Sequence, residues 1–258
     1  MAVLTGDSAT TGGKPVLQSD SNSKVFIYYT DHGATGLVAM PTGRSLYADE
    51  LQAAIDTMEA NQMYDEVVFY LEACESGSMF PDLKASQKVY AMTASNASLS
   101  SWAAYCGVDA RAEGHLIRSC LGDEFSVSWM EDTDSHDISV ETLQDQYETT
   151  LTLTTQSPVQ KFGDFDFMSD AIGVFEGTLE ETSVKQVVDE VTEEGHGKRK
   201  GHFKKWGKKM LHKFEQAGEK VKEFINTEFK PVRKIDSRDV RFTQAFENYL
   251  ESGTAADF

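Results

Sequence analysis

Long apolar runs are missing from this 258-residue chain. No stretch approaches the ~20 consecutive apolar residues that a membrane span needs. The opening Met1-Ala2-Val3-Leu4-Thr5-Gly6-Asp7 has neither a basic start nor an apolar core, so no signal peptide is expected there. Positive charge is scarce everywhere but in one stretch. Residues 195 to 234 hold 13 of the 24 Lys and Arg against 4 Glu, which leaves 11 basic and 38 acidic residues for the rest of the chain. A body that acidic repels phosphate and is a poor nucleic-acid binder. Cysteine is also sparse, with three residues. Cys106 and Cys120 flank a loop containing Gly107 and Gly114, and Cys74 stands apart. One pair and one leftover suits a disulfide plus a reactive thiol in an oxidising compartment, and closing such a loop is worth roughly 3 kcal/mol. Three reduced cysteines fit the count equally.

A hydrophobic content of 40% is sufficient for a real core, in one large domain or a domain with an appendage. Residues 5 to 24 are rich in Gly, Ser, Thr and Asp and predict an irregular approach. Val25-Phe26-Ile27-Tyr28-Tyr29 and residues 66 to 72 read as fully buried strands, with a third at Val89–Thr93. Leu37 to Met40 predicts a short strand. Between the first two long strands, Tyr47, Leu51, Ile55 and Met58 recur at helical spacing, which predicts a helix over about 46–62 capped by Ser45. Strand, helix, strand in that order makes a right-handed crossover with parallel strands. Phe125-Ser126-Val127-Ser128-Trp129 alternates like a strand with one buried face. Residues 142 to 155 begin like a helix and end in a Thr-rich run of strand preference, and 158 to 177 look extended.

Just past the first strand stands Thr30-Asp31-His32-Gly33, and just past the second Glu72-Ala73-Cys74-Glu75-Ser76-Gly77. Chemistry in open α/β sheets collects at the carboxyl ends of the strands. A thiolate is an effective nucleophile, and a nearby imidazole lowers its pKa and later protonates a leaving amine. The N–H groups of Gly33 and Cys74 are candidates for an oxyanion hole, since Gly33 has no side chain to block a carbonyl. Residues 72 and 74 point the same way on an extended strand, so Glu72 faces the same cleft as Cys74. The plain alternative makes Cys74 a small core residue and His32 a loop histidine.

The words around these residues resemble the legumain family, the asparaginyl endopeptidases. The resemblance rests on Tyr29-Thr30-Asp31-His32-Gly33 and on Glu72 through Met79. It continues through Tyr90 to Asn96, Ser100-Ser101-Trp102, Cys120-Leu121-Gly122-Asp123, Ser126 to Asp132, Glu141-Thr142-Leu143 and Gln146-Tyr147. It covers residues from about 12 to 177, and paired Cys106 and Cys120 look most like the plant branch. The resemblance implies a caspase-like three-layer α/β/α fold with a mostly parallel sheet. It implies hydrolysis after Asn, and more slowly after Asp at acid pH, with Cys74 as nucleophile, His32 as base, and Gly33 and Cys74 as oxyanion donors. The pocket for the residue before the scissile bond would draw on Glu72, Ser101 and Asp123. Protein or peptide substrates are implied, in a lysosome, vacuole or secreted setting, with no metal and no cofactor. Family members carry a first central strand, a helix, an Asn and a pocket Arg ahead of the approach loop. The expectation is therefore an N-terminally incomplete peptidase domain over 1–177. The alternative is a catalytically inactive homologue that acts as a binding or inhibitory protein.

Beyond it, an acidic-to-basic linker is expected over 178–202. Phe203, Trp206, Met210, Phe214, Ala217, Val221 and Phe224 then follow spacings of three and four with lysines opposite, a cationic amphipathic helix ended by Pro231. It could clamp electrostatically onto the acidic domain, bind a membrane surface, or be a solvated linker. Asp236-Ser237-Arg238-Asp239 with Phe242, Phe246 and Tyr249 resembles the activation peptide of the same family, so 231–258 reads as a remnant of that segment. Asn96-Ala97-Ser98 is an N-glycosylation sequon.

Overall fold

The computed structural model describes residues 1–112, 115–177 and 235–236, which belong to one compact unit. The linker over 178–202, the cationic helix and most of 231–258 lie outside the described residues.

In chain order the elements are β1 (Lys24–Thr30), β2 (Gly33–Ala34), β3 (Leu37–Val38), β4 (Leu46–Tyr47), α1 (Ala48–Ala60), β5 (Glu66–Glu72) and β6 (Val89–Thr93). Then come β7 (Trp102–Ala104), β8 (Arg111–Ala112), β9 (His115–Leu116), β10 (Gly122–Asp123), α2 (Glu124–Ser135), α3 (Leu143–Leu153), β11 (Gln160–Gly163), α4 (Gly173–Glu176) and β12 (Ile235–Asp236). The main sheet runs β1-β5-β6-β11, with β1, β5 and β6 parallel and β11 antiparallel on β6. This is the mostly parallel α/β sheet that the strand–helix–strand order predicts.

Both faces of that sheet are covered, which is why its strands are apolar without alternation. Val67, Phe69 and Leu71 join Val25, Val89 and Ala91 in a core closed by Leu51, Ile55 and Met58 of α1. Val68 and Tyr70 point the other way, with Tyr90 and Met92, into a core built with Phe125, Trp129, Leu143 and Ile172. The Tyr70 ring meets Phe26, Phe125 and Trp129 edge-on at 5.2, 6.2 and 5.4 Å, and its hydroxyl bonds Gln146. Burying these rings in edge-to-face contact adds to the area term at each pair.

Four local expectations are corrected. Helix α1 starts after Tyr47 rather than directly after Ser45, because Leu46–Tyr47 stays extended to pair with β3, and the Glu50 carboxylate accepts from Tyr47 N at 3.2 Å to close the first turn. The run Phe125 to Trp129 is helix, not strand. Phe125, Trp129 and Asp132 fall on one helical face, and Ser126 and Ser128 are small enough to be buried beside them, which imitates a period of two. Helix α3 persists through its threonines, starting from a Thr142–Asp145 capping box, with Thr152 Oγ1 returning a bond to Glu148 O at 2.8 Å. Of 158–177 only β11 is extended. It ends at Gly163, where φ is +88° and a Cβ would lie 2.0 Å from Val89 O, so the strand needs glycine to turn there.

A second small sheet, β10-β7-β12, has β7 in the middle with both neighbours antiparallel. The β8–β9 ribbon lies between Cys106 and Cys120, which are disulfide-bonded.

Candidate active site

Strands β1 and β5 are neighbours in register, with Thr30 opposite Glu72, so both end at the same level. One more ladder bond, Asp31 N to Glu72 O at 3.2 Å, carries the pairing past the strand ends. His32 and Cys74 therefore leave the sheet at the same edge. The two loops press together through Gly33: a Cβ there would sit 2.1 Å from Cys74 O and 3.0 Å from the Ala73 side chain. Only glycine lets the backbone after His32 lie on the backbone of Cys74.

The sequence after the cysteine is a set of backbone ties. Glu75 adopts a left-handed φ of 48°, turning the chain into a short 3₁₀ turn at Ser76–Met79. Glu75 N donates to Leu99 O at 2.8 Å and Gly77 N to Ser95 O at 3.0 Å, while Ser76 Oγ accepts from Ser95 N at 3.0 Å. Ser78 Oγ donates to Glu75 O at 2.6 Å and accepts from Gly36 N at 2.7 Å. These bonds join the loops that follow β2, β5 and β6 into one rigid frame around Cys74. The thiol is buried, 1% exposed, and its Sγ lies 3.8 Å from Ser101 Oγ. His32 is exposed, held by a bond from its own N to Asp31 Oδ1 at 2.7 Å and one from Ala39 N to its carbonyl at 2.8 Å.

Beside this frame opens a cavity of about 400 Å³ lined by His32, Glu72, Ser101, Ala103, Cys120 and Asp123, among others. Four of the predicted catalytic and pocket residues, His32, Glu72, Ser101 and Asp123, thus line one cavity, with Cys74 in contact with Ser101. No Lys or Arg is among the described residues that line it. Glu72 continues the face of Val68 and Tyr70, so its side chain meets α2 rather than α1. Its Oε2 accepts from Ser126 N at 2.8 Å and from Ser126 Oγ at 2.9 Å, and Tyr28 Oη lies 2.7 Å from the same hydroxyl. Its other oxygen, Oε1, is buried without a well-formed hydrogen bond, although Ser101 is near enough to draw the carboxyl pKa down. Burial acts the other way and more strongly. With the Asp123 charge it pushes the Glu72 pKa up to about 8. Glu72 thus holds its proton to a higher pH than an ordinary carboxyl group does, beside Asp123.

The rim carrying Asp123 is fixed from two directions. Strand β10 pairs Asp123 with Ala103, and the disulfide anchors Cys120. Next in sequence, Glu124 is buried and accepts from Thr155 N at 2.7 Å and Gln156 N at 3.1 Å. Ser126, the residue that holds Glu72, is absent from the sequence-derived site. The alternation of the run around it points to a strand, and the resemblance through Ser126 to Asp132 assigns it no role.

The peptidase C13 family model matches residues 1–178. The vacuolar-processing enzyme of Vicia sativa is 40% identical over 195 residues, covering 73% of this chain and 40% of that protein. The delta-isozyme of Arabidopsis thaliana is 47% identical over 147 residues, covering 56% and 32%. Legumain of Mus musculus is 40% identical over 180 residues, covering 69% and 40%. The chain therefore spans well under half the length of these relatives. The matched region holds both loops, the cavity and the helix that orients Glu72, and the chain belongs to the peptidase C13 family.

Proposed function

We propose that this chain is a cysteine endopeptidase that cleaves proteins after Asn, and more slowly after Asp at acid pH, in a vacuolar or lysosomal setting. In this reading Cys74 Sγ attacks the scissile carbonyl carbon as His32 takes the thiol proton. The N–H groups of Gly33 and Cys74 receive the developing oxyanion. The thioester forms as His32 returns the proton to the leaving amine. Water then attacks with His32 again as base, and the thiol is restored.

The observation that carries the specificity is the paired carboxyl groups of Glu72 and Asp123 on one cavity. With one proton held between Glu72 and Asp123, the pocket offers one hydroxyl donor and one anionic acceptor. A carboxamide presents the complementary oxygen and NH₂, so Asn fits with both ends paired. An Asp side chain would bring a further negative charge unless protonated, which restricts it to acid pH.

The edge of β7 supports the binding mode. Ile235–Asp236 pairs antiparallel along it, with Asp236 opposite Trp102, next to Ser101. An extended substrate would add to that edge by the same main-chain bonds, and the Ile235–Asp236 segment would compete with it. The test is release of a fluorophore from an Asn-containing peptide at pH 5. The full chain should be active and Cys74→Ala inactive. Equal signals, or no turnover by either, would refute the enzymatic reading and favour the inactive binding homologue.

A further inference from the structure

A second cluster of charged side chains lies away from the cavity, where α2 ends. Asp132 sits in the last turn of α2 with its side chain wholly buried, and neither of its carboxylate oxygens has a hydrogen bond of good geometry. Glu141, just before α3, is 9% exposed; its side chain hydrogen-bonds Asp132, while its Oε2 is buried with no hydrogen bond of good geometry. His136, the residue that ends α2, faces both. Its Nδ1 lies 2.9 Å from Asp132 Oδ1 and 3.7 Å from Glu141 Oε1. One ligand atom from each of the three residues falls within 4.8 Å of the other two.

Asp132 and Glu141 are adjacent buried carboxyl groups that hydrogen-bond each other, and holding a charge on both is costly. His136 cannot compensate them alone. Its Nδ1 also lies 3.0 Å from Asp132 O, and a single N–H has at most one proton to divide between that carbonyl and two carboxylates. A cation among them would be held by one atom from each of the three residues. The separations fit one. Two ligands at the ~2.0–2.1 Å of a zinc bond and a tetrahedral angle stand ~3.4 Å apart, and the His136–Asp132 and His136–Glu141 separations, 2.9 and 3.7 Å, bracket that value.

The loop that brings the ligands together is rigid before any ion arrives. Glu141 N donates to Asp137 O at 3.0 Å, Ile172 N donates to Glu141 O at 2.9 Å, and Thr142 forms a bridge with Ala171. From this cluster we propose that Asp132, His136 and Glu141 form a site for a divalent transition-metal ion, with zinc the best match. The imidazole nitrogen favours zinc over calcium or magnesium, which take six or more oxygen ligands or retain their water. His136 has a half-exposed side chain, so the fourth position opens to solvent. The ion would clamp the end of α2 to the start of α3. Because α2 also carries Ser126, the site would stiffen the helix that orients Glu72.

The experiment uses the full chain with Cys74→Ser as parent, which removes the only other thiol ligand outside the disulfide. After EDTA treatment and desalting, zinc is titrated in by calorimetry at pH 7 and the melting temperature is followed. The parent should take up one equivalent and melt at a higher temperature. Adding His136→Ala, a change at a half-exposed side chain, should weaken uptake at least tenfold and remove the rise in melting temperature. Equal uptake by both proteins, or none by either, would overturn the proposal. Zinc-edge X-ray absorption on the loaded parent gives a check that needs no further variant. One imidazole with oxygen ligands supports the site, and a different ligand shell refutes it.

Discussion

Replacing Glu72 with Gln should flatten much of the pH dependence of stability. Glu72 is 2% exposed, and its pKa rises from 4.5 to about 8 through burial and the neighbouring Asp123 charge. The folded state therefore binds a proton more tightly than the unfolded chain, and stability falls as pH climbs between those two values. At ~1.4 kcal/mol per unit, the ceiling is just under ~5 kcal/mol across the whole window, and about 3 kcal/mol between pH 5 and 7.5. That is a large share of the ~5–15 kcal/mol that holds a domain folded. Gln retains an acceptor for Ser126 N and Oγ but does not titrate in this range. Urea midpoints would be followed through the fluorescence of buried Trp129, in EDTA, at pH 5 and pH 7.5. The wild-type chain should lose about 3 kcal/mol more than Glu72→Gln between the two pH values. Glu141, which burial and the nearby Asp132 carboxylate push up to about 7, contributes to both proteins and cancels in the difference. Equal losses within about 0.5 kcal/mol would refute a protonated Glu72.

Gly33→Ala would place a methyl 2.1 Å from Cys74 O, a backbone contact that no side-chain rotation relieves. The loops should separate by a fraction of an ångström or more, with a loss of about 100-fold or more in kcat/KM on the Asn peptide. Activity within threefold of wild type would show that the two loops need not touch. Replacing both Cys106 and Cys120 with Ala opens a loop closed over a separation of 14 residues, which should cost about 3 kcal/mol in urea unfolding. Because the Asp123 rim follows directly, KM should rise more than kcat falls, and an unchanged KM would disconnect the disulfide from the pocket.

Much of the site was legible because it follows from local rules. Buried strands on a two-faced sheet are continuous apolar runs, so β1, β5 and β6 stood out with nearly their true bounds. The residues after them were then placed at the carboxyl edge by topology alone. Helix α1 showed itself by spacing, though its start did not, since the β3–β4 pairing that delays it depends on a partner strand. Helix α2 was hidden because its serines are buried. A small polar residue under a packed helix looks the same in sequence as one facing water, and Ser126 finds its use only against Glu72, 54 residues away. The Asp132–His136–Glu141 cluster was missed for the same reason, since its ligands converge only when the chain between α2 and α3 is folded back.

The sequence by itself determined which residues could carry chemistry and at which end of the sheet they emerge, because strand periodicity and crossover handedness are short-range properties of the chain. The charge that Glu72 bears was decided by tertiary structure alone. A pKa depends on how much water is excluded and on which charges lie within a few ångströms. For Glu72 those are set by α2 and by the Asp123 rim, elements that reach it only in the folded molecule.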